Sequence, residues 1–341
     1  MNGKMIRTVL AVSMAAAVLA GCRKELCYDH DHWKANVVPD WELAWERDYG
    51  MAWEQNWNSP AGVAYDSLRP VPGKGIAAIV YKEGGSYVER HIGADGGILP
   101  LGQTPQSILF YNDDTEYIVF SGLDSYAEAS ATTRTRTRST YTERHGEEST
   151  VSSPDMLFGS WVEDYIAPGT MDASPVDLSV TMRPLVYSYL LVYEFECGIE
   201  YVRLARGAMA GMAQSVYLQD GRTGSEKATV LFEDASVDSE RGVVTAVIRT
   251  FGVPDFPDRY YNGTTPESES GTFGLNLEVM LPDGSIKVFE FDISDQMLDQ
   301  PRGGVITVSG LTIYDWEFGG GGSFDVEVDD WGPYEDVDLP L

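Results

Sequence analysis

The chain has 341 residues, enough for one large domain or two of ordinary size, and 43% of them are hydrophobic, so a real core can form. Its 24 lysines and arginines face 53 aspartates and glutamates, which gives a formal net charge of −29. A surface of that sign repels phosphate groups, so we expect no nucleic-acid partner and no direct electrostatic binding to anionic lipid. The 35 glycines and 19 tyrosines, together with many valines and threonines, give a composition that leans towards β-structure.

Residues 1–21 have the features of a bacterial lipoprotein signal peptide. Lys4 and Arg7 supply a basic start, and residues 8–20 form an apolar run that is too short to span a bilayer permanently. The run closes with Leu-Ala-Gly-Cys at residues 19–22, which looks like a lipobox. We therefore expect diacylglycerol on Cys22, which would hold the mature chain in a membrane, and a lipid-anchor segment over residues 22–27. The alternative is an ordinary signal peptide followed by a chance cysteine.

Cysteine and histidine residues follow directly after this anchor. Cys27 could form a disulfide with Cys197 in an exported protein, but Cys197 ends an apolar run and fits a buried free thiol equally well. His30 and His32 would point the same way on an extended strand and could share a metal ion. Because no second histidine cluster completes such a site, we favour a polar strand start and predict no metal site.

Five tryptophans crowd the next stretch of the chain: Trp33, Trp41, Trp45, Trp53 and Trp57. Such rings either pack in a core or stack on sugar rings at a surface. Trp41 belongs to a strand-like stretch, which favours packing. Residues 48–60 look like a loop, so Trp53 and Trp57 are candidates for binding a ligand such as a glycan.

The chain up to residue 195 alternates between strand patterns and turns. We predict strands at residues 75–81, 107–111, 115–120, 176–182 and 185–195. Residues 121–154 are rich in Ser, Thr, Ala and Glu, which predicts a long exposed loop. Within it, Arg134, Arg136 and Arg138 form a candidate site for a trypsin-like protease, although a solvated loop also contains such residues.

The second half predicts more strands and one short helix. Residues 201–212 could form the helix, but two glycines weaken it. Residues 220–227 are rich in turn formers, so we place a domain boundary there, with one domain over residues 28–222 and the other over residues 223–341. Strands are predicted at residues 228–232, 242–251 and 304–309, and residues 272–279 and 286–291 form a hairpin. Residues 323–329 and 334–341 also alternate.

These patterns predict an all-β fold with β-sandwich domains. No G-x-S-x-G motif, P-loop or C-x-x-C motif is present, and no nucleophile lies beside a base in a recognisable pattern. We therefore expect no enzyme activity, no catalytic residue and no cofactor.

Several patches together resemble one family. They are KELCYDH at residues 24–30, GGILPLG at 96–102, YNDDTE at 111–116, PDMLFG at 154–159, VTMRP at 180–184, AGMA at 210–213 and GGGGSFDVEVDDW at 319–331. They resemble the fimbrillin-like lipoproteins of Bacteroidetes, and most of all a branch known only as a domain of unknown function, related to Mfa-type and FimB-type fimbrial anchor proteins.

The resemblance implies two transthyretin-like (Greek-key) β-sandwich domains in series and a lipid-anchored place in the outer membrane, exposed at the cell surface. Cys22 matches the lipidated cysteine. The arginines at 134–138 do not match the family's cleavage place, which favours an anchor or accessory role over a stalk role. Fimbrial subunits are the implied partners, through β-strand addition. The alternative function is that of a standalone surface glycan-binding lipoprotein that uses Trp53 and Trp57.

Overall fold

The computed structural model describes residues 33–46, 53–136, 145–169, 174–257 and 271–318, and these residues form an almost entirely β structure. The strands in chain order are β1 (Lys34–Trp41), β2 (Gly75–Lys82), β3 (Tyr87–Gly93), β4 (Gly97–Pro100), β5 (Gln106–Asn112), β6 (Ile118–Ser121), β7 (Ser130–Thr133), β8 (Ser149–Ser152), β9 (Phe158–Tyr165), β10 (Val176–Pro184), β11 (Tyr187–Cys197), β12 (Leu204–Ala213), β13 (Ser215–Tyr217), β14 (Lys227–Phe232), β15 (Ala235–Asp238), β16 (Val243–Thr250), β17 (Gly274–Met280), β18 (Ile286–Asp292) and β19 (Gly304–Thr312). The α-helices are α1 (Trp53–Asn56) and α2 (Ser294–Leu298), and single 3-10 turns cover Pro60–Gly62, Tyr65–Leu68, Ile199–Tyr201 and Asp315–Glu317.

The N-terminal unit is built on a seven-stranded sheet in the order β3-β2-β5-β9-β10-β1-β4. Strands β3 and β4, at the two ends of that order, are consecutive in the chain and meet at a bridge between Gly93 and Gly96, so the sheet curls around one core. The buried side chains of this core include Val37, Ile76, Val80, Leu99, Ile108, Phe110, Phe158 and Met182.

A second, smaller sheet covers the other face of β2 and β5. It has the order β13-β7-β6 and packs Ala131 and Val216 against Ile79 and Leu109. Both faces of β2 and β5 are therefore buried, which explains the continuous apolar runs at residues 76–81 and 108–111.

The C-terminal unit is a sandwich of two sheets. One has the order β15-β16-β11-β19 and the other has the order β18-β17-β12-β14-β8. Between them lies the largest core of the described chain, which includes Tyr189, Leu191, Tyr193, Met209, Val230, Val244, Ile248, Leu275, Leu277, Val279 and Ile306.

The predicted fold class is confirmed, since an all-β chain with β-sandwich units is what the structure shows. The hairpin of β17 and β18 is present, and Phe273, Leu275, Leu277 and Val279 face the core as their alternation predicts. Residues 323–329 and 334–341 lie outside the described residues.

The short helix predicted at residues 201–212 is wrong, because β12 occupies most of that stretch. This strand is central in its sheet and buried on both faces, so its apolar run does not alternate. Gly207 allows a close approach that a larger residue would prevent, since a Cβ there would lie 2.3 Å from the carbonyl oxygen of Asn276 and 2.5 Å from the ring of Phe232.

The long exposed loop predicted at residues 121–154 is also wrong. Its described residues contain β7 and β8, and Ala129, Ala131, Thr133 and Val151 are buried. Strand β8 runs parallel to β14 of the C-terminal sandwich, although β6 and β7 before it and β9 after it belong to the N-terminal unit. The polar composition misled because the Ser and Thr hydroxyls here accept or donate hydrogen bonds within the sheets, as in Thr132 Oγ1 to Gln214 O at 2.8 Å.

Strand pairing does not follow the boundary predicted after residue 222. Strands β11 and β12 precede that position, yet they pair with β16, β19, β14 and β17 of the C-terminal sandwich. The turn-rich residues 220–227 connect β13, which lies in the small sheet of the N-terminal unit, back to β14. The chain therefore crosses between the two units more than once.

Gly207→Ala should lower the free energy of unfolding by about 1–3 kcal/mol, because its methyl group collides with backbone and an aromatic ring in the centre of a sheet. Urea denaturation of both the variant and the wild type measures this change. Gly93→Ala is the matched control, since a Cβ there meets its nearest neighbour, the Gly96 carbonyl oxygen, at an ordinary 3.5 Å. Equal stability of the two variants would contradict the assignment of β12.

Candidate functional site

The tryptophan-rich segment crosses from the N-terminal unit to the outer face of β11. We call its described residues, 43–46 and 53–68, the aromatic strap. Trp45 is fully buried and packs with Tyr65 and Leu68 against Leu190 and Val192 of β11. The strap thus covers the face of β11 that points away from the core of the sandwich. Its aromatic rings shield the apolar side chains of that face from water.

Trp53 and Trp57 take part in this packing. The ring centroids of Trp45 and Trp57 lie 5.6 Å apart in an edge-on arrangement, those of Trp53 and Trp57 lie 6.0 Å apart, and those of Trp57 and Tyr65 lie 5.6 Å apart. Trp57 Nε1 donates to the carbonyl oxygen of Val63 at 2.8 Å. The rings are partly buried against one another, which is the geometry of a packed cluster and not of an open row of stacking faces.

Trp41 packs as its strand-like surroundings predict. Its ring meets the ring of Phe158 edge-on at 5.0 Å between centroids, and its Nε1 donates to the Ala94 carbonyl oxygen at 3.1 Å.

A carboxylate lies beside the strap cluster. The Tyr65 hydroxyl donates to Glu46 Oε1 at 2.6 Å. Burial raises the pKa of Glu46, and the hydrogen bond from Tyr65 offsets this only in part. Burial and the same carboxylate raise the pKa of Tyr65. Ionised Glu46 therefore destabilises the folded state, and this destabilisation decreases as pH falls and the carboxylate is protonated.

A second crossing lies on the opposite sheet of the sandwich. We call residues 145–152 the clasp. His145 Nδ1 lies 2.7 Å from Glu148 Oε1, while Glu148 Oε2 accepts hydrogen bonds from the Gly211 amide at 3.0 Å and from Thr229 Oγ1 at 2.8 Å. Strand β8 then continues the clasp alongside β14.

The hydrogen bonds to Glu148 determine its charge state. Burial by itself would raise the pKa of Glu148, but the hydrogen bonds from His145, Gly211 and Thr229 outweigh it and hold the pKa below its ordinary value. The carboxylate is thus stabilised as an anion between the clasp and strands β12 and β14.

Two of the three predicted protease-site arginines lie next to the clasp in paired backbone. The Arg136 amide donates to the Thr150 carbonyl oxygen at 2.8 Å, and the Ser152 amide donates to the Arg134 carbonyl oxygen at 2.9 Å. Arg136 Nε also donates to Ser152 Oγ at 2.6 Å. Since proteases cut unpaired chain, this pairing argues against cleavage at Arg134 and Arg136, and Arg138 lies outside the described residues.

Several other predicted residues have no described position. Cys22, Cys27, His30 and His32 lie outside the described residues. Cys197 is exposed and has no disulfide partner among the described residues, so the alternative of a buried thiol is wrong, and its pairing with Cys27 stays a prediction. In the part of the chain that the structure describes, no cluster of three His, Cys, Asp or Glu side chains could hold a metal ion. Within the same part, no helix has the length and apolar character to cross a membrane.

The strand edges of the C-terminal sandwich are the surfaces where another strand could pair. Within the described ranges, β15, β18 and β19 each lack a strand on one side. Strand β8, at the other end of its sheet, is paired along residues 134–136. Sheet edges of this kind carry the main-chain donors and acceptors that strand addition uses.

Sequence reasoning missed the clasp. His145 and Glu148 stand in a stretch rich in Ser, Thr and Glu, and nothing near them alternates over more than four residues. The one available signal was Thr150-Val151, since β-branched residues favour strands.

Comparison with known proteins confirms the family resemblance. Residues 70–233 match the family model described as a domain of unknown function, DUF5119. A candidate fimbrium anchoring subunit, Fim4B, from Bacteroides ovatus is 22% identical over 290 residues, which cover 79% of this chain and 85% of that protein.

Two solved structures are similar to this chain, one of them closely enough to share the fold. A candidate adhesin from Bacteroides ovatus ATCC 8483 matches with a TM-score of 0.55 and 18% identity, covering 84% of this chain and 94% of that chain. The fimbrial anchor protein Mfa2 from Porphyromonas gingivalis matches with a TM-score of 0.41 and 12% identity over 81% of this chain and 90% of that chain, too low a score to establish a shared fold by itself.

Glu148→Gln should lower the free energy of unfolding at pH 7 by about 1–3 kcal/mol, since it removes the anion from a buried network of three donors. A carboxyl whose pKa is lowered by folding contributes stability above its unfolded pKa and loses it as pH falls through the folded value. The difference between variant and wild type should therefore shrink in acid. Urea denaturation at pH 7 and pH 3 measures it, with the exposed neighbour Glu147→Gln as control. A difference that is the same at both pH values would contradict this account.

Trp57→Ala should destabilise the fold by about 2 kcal/mol or more, because the ring packs against Trp45 and Tyr65. Trp316→Ala removes the same side chain from a position that is 71% exposed, so it should change the stability little. Thermal unfolding of both variants distinguishes them. If Trp57→Ala unfolds at the same temperature as Trp316→Ala, the packing of the strap does not stabilise the fold.

Proposed function

We propose, from this family resemblance, that the chain is an outer-membrane surface lipoprotein that acts as an anchor or accessory subunit of a fimbria-like assembly in cell adhesion. The observation that carries the proposal is the match to the candidate anchoring subunit Fim4B, which extends over most of both chains. The candidate adhesin that shares the fold supports the same class of architecture. Both relatives are named for attachment and not for catalysis.

The anchoring step is assigned to Cys22. Diacylglycerol on its thiol would hold the N-terminus in the outer membrane, and the segment before β1 would connect the lipid to the N-terminal unit. With a net charge of −29, the chain is poorly suited to electrostatic attachment to anionic lipid, so acyl chains are the attachment that fits its composition.

The way the two units are joined suits a subunit under mechanical load. The aromatic strap runs from the N-terminal unit over the outer face of β11, and the clasp runs from the same unit to β14 on the opposite sheet. A force that separates the units must therefore break both a packed aromatic cluster and a parallel strand pairing. We infer that the two units transmit load from the lipid anchor to a partner as one body.

The partner is assigned to a fimbrial subunit that pairs by β-strand addition. Main-chain hydrogen bonds along an open edge provide affinity, and alternating side chains provide register. An edge of this kind is present in the C-terminal sandwich at β15.

The alternative of a standalone glycan-binding protein loses its main support. That hypothesis relied on Trp53 and Trp57 as open faces, and both rings pack within the strap cluster. We therefore do not carry it as a second function.

Cys22→Ala should release the protein from the outer membrane and remove it from the base of sheared filaments. Cells that express the variant at native level are sheared, filaments are separated from outer membranes, and both fractions are blotted without boiling. The wild type should co-purify with filaments or form a high-mass ladder.

Cys197→Ala is the matched control, since it removes an exposed cysteine thiol and leaves the lipidation site intact. It should behave as the wild type does. A wild-type protein that is found as a monomer confined to the membrane fraction would overturn the assembly role. A Cys22→Ala protein that stays in the membrane would overturn the anchor.

A further inference from the structure

We propose that Gln296 and Gln300 close the outer edge of β19 against pairing with a second copy of this chain. This inference concerns self-association and does not depend on the fimbrial role. It rests on the hydrogen bonds that two side chains of the α2 region make to the backbone of an edge strand.

Gln296 occupies the place that a neighbouring strand would take. The Thr307 amide donates to Gln296 Oε1 at 3.0 Å, and Gln296 Nε2 donates to the Thr307 carbonyl oxygen at 2.9 Å. A primary amide offers one donor and one acceptor in a plane, as a peptide group does. The side chain therefore satisfies both main-chain groups through which Thr307 would join another strand.

Gln300 extends the same closure towards the start of the strand. Its Oε1 accepts a hydrogen bond from the Val305 amide at 2.6 Å. A Cβ at position 304 would lie 2.0 Å from this oxygen, so the glycine there is required for the contact. Together the two glutamines satisfy three outward-facing groups of β19, namely the amides of Val305 and Thr307 and the carbonyl oxygen of Thr307.

The glutamines are held in place by the packing of α2. Ile293 and Met297 are buried in the core of the sandwich, and the carbonyl oxygen of Gln300 accepts a hydrogen bond from the buried Tyr189 hydroxyl at 2.9 Å. The cap is thus attached to the core and is not a loose surface contact.

The composition of β19 explains why this edge needs a cap. Its sequence, Gly-Val-Ile-Thr-Val-Ser-Gly-Leu-Thr, has no charged residue and no proline. The other long edge strand, β18, carries Lys287, Glu290 and Asp292. Charges on an edge strand discourage edge-to-edge pairing, whereas an uncharged stretch rich in β-branched residues promotes it.

The far half of β19 is protected by its shape. The register between β11 and β19 shifts twice beyond Val308, and Gly310 has a φ of 85°. Such irregularities twist an edge and prevent continuous pairing. The regular part of the edge, residues 304–308, is the part that the glutamines cover.

The test compares the association state of the full chain in detergent with that of three variants, by sedimentation velocity over a range of concentrations. The wild type should stay monomeric. Gln296→Ala should form dimers or larger species as concentration rises. The double variant Gln296→Ala/Thr307→Pro should return to the monomer, because proline removes the outward N–H that pairing needs and β11 does not use.

Gln55→Ala is the matched control, since it removes an exposed glutamine from the other short helix. It should remain monomeric. A folded Gln296→Ala variant that is monomeric at every concentration would overturn the proposal. Association that Thr307→Pro does not reverse would also overturn it, because the contact would then lie elsewhere.

Hydrogen exchange gives a second test, and its measurement on the wild type does not depend on the folding of any variant. The amides of Val305 and Thr307 should exchange as slowly as the paired amides of β11, and in Gln296→Ala the Thr307 amide should exchange roughly tenfold faster. Rapid exchange at Thr307 in the wild type would show that the edge is open and would contradict the cap.

Discussion

Strand β11 is the element on which the rest of the structure depends, because it must be covered on both faces. Its first seven residues, Tyr187–Tyr193, are all buried. Tyr189, Leu191 and Tyr193 face the core between the two sheets, and Leu190 and Val192 face the other way. Such apolar side chains cannot be left in water without a large cost in free energy, so the outer face needs a cover. The aromatic strap supplies that cover, and this is why the tryptophans lie where they do.

The same requirement joins the two units. The strap leaves the N-terminal unit after β1 to reach β11, and the clasp leaves it after β7 to reach β14, so the sandwich is held from two sides. The carboxylates at the two crossings respond to pH in opposite directions. Burial raises the pKa of Glu46 in the strap, whereas three donors hold the pKa of Glu148 in the clasp below its ordinary value. Lowering the pH therefore removes the stability that ionised Glu148 contributes at the clasp, and it also removes the destabilisation that ionised Glu46 causes at the strap.

The edges of the sandwich show how the chain limits uncontrolled strand pairing. An open strand edge can pair with another chain unless something blocks it. Here β8 is paired along residues 134–136, β18 carries charged residues, and β19 is capped by Gln296 and Gln300. The net charge of −29 adds repulsion between copies, but β19 itself contributes none of it.

The amino-acid sequence by itself determined the β class of the fold, the hairpin of β17 and β18 and the core-facing side chains of β17, because alternation within one strand is a local property. It also carried the family resemblance and the prediction of Cys22 as the lipid site. Only the tertiary structure decided the roles of the strap, the clasp and β12. Glu148 meets Thr229, a residue 81 positions away, and no local pattern encodes that contact. Strands buried on both faces, such as β12, lose their alternation, and polar strands such as β8 resemble loops. Whether such segments form strands depends on the neighbouring strands that the fold places beside them.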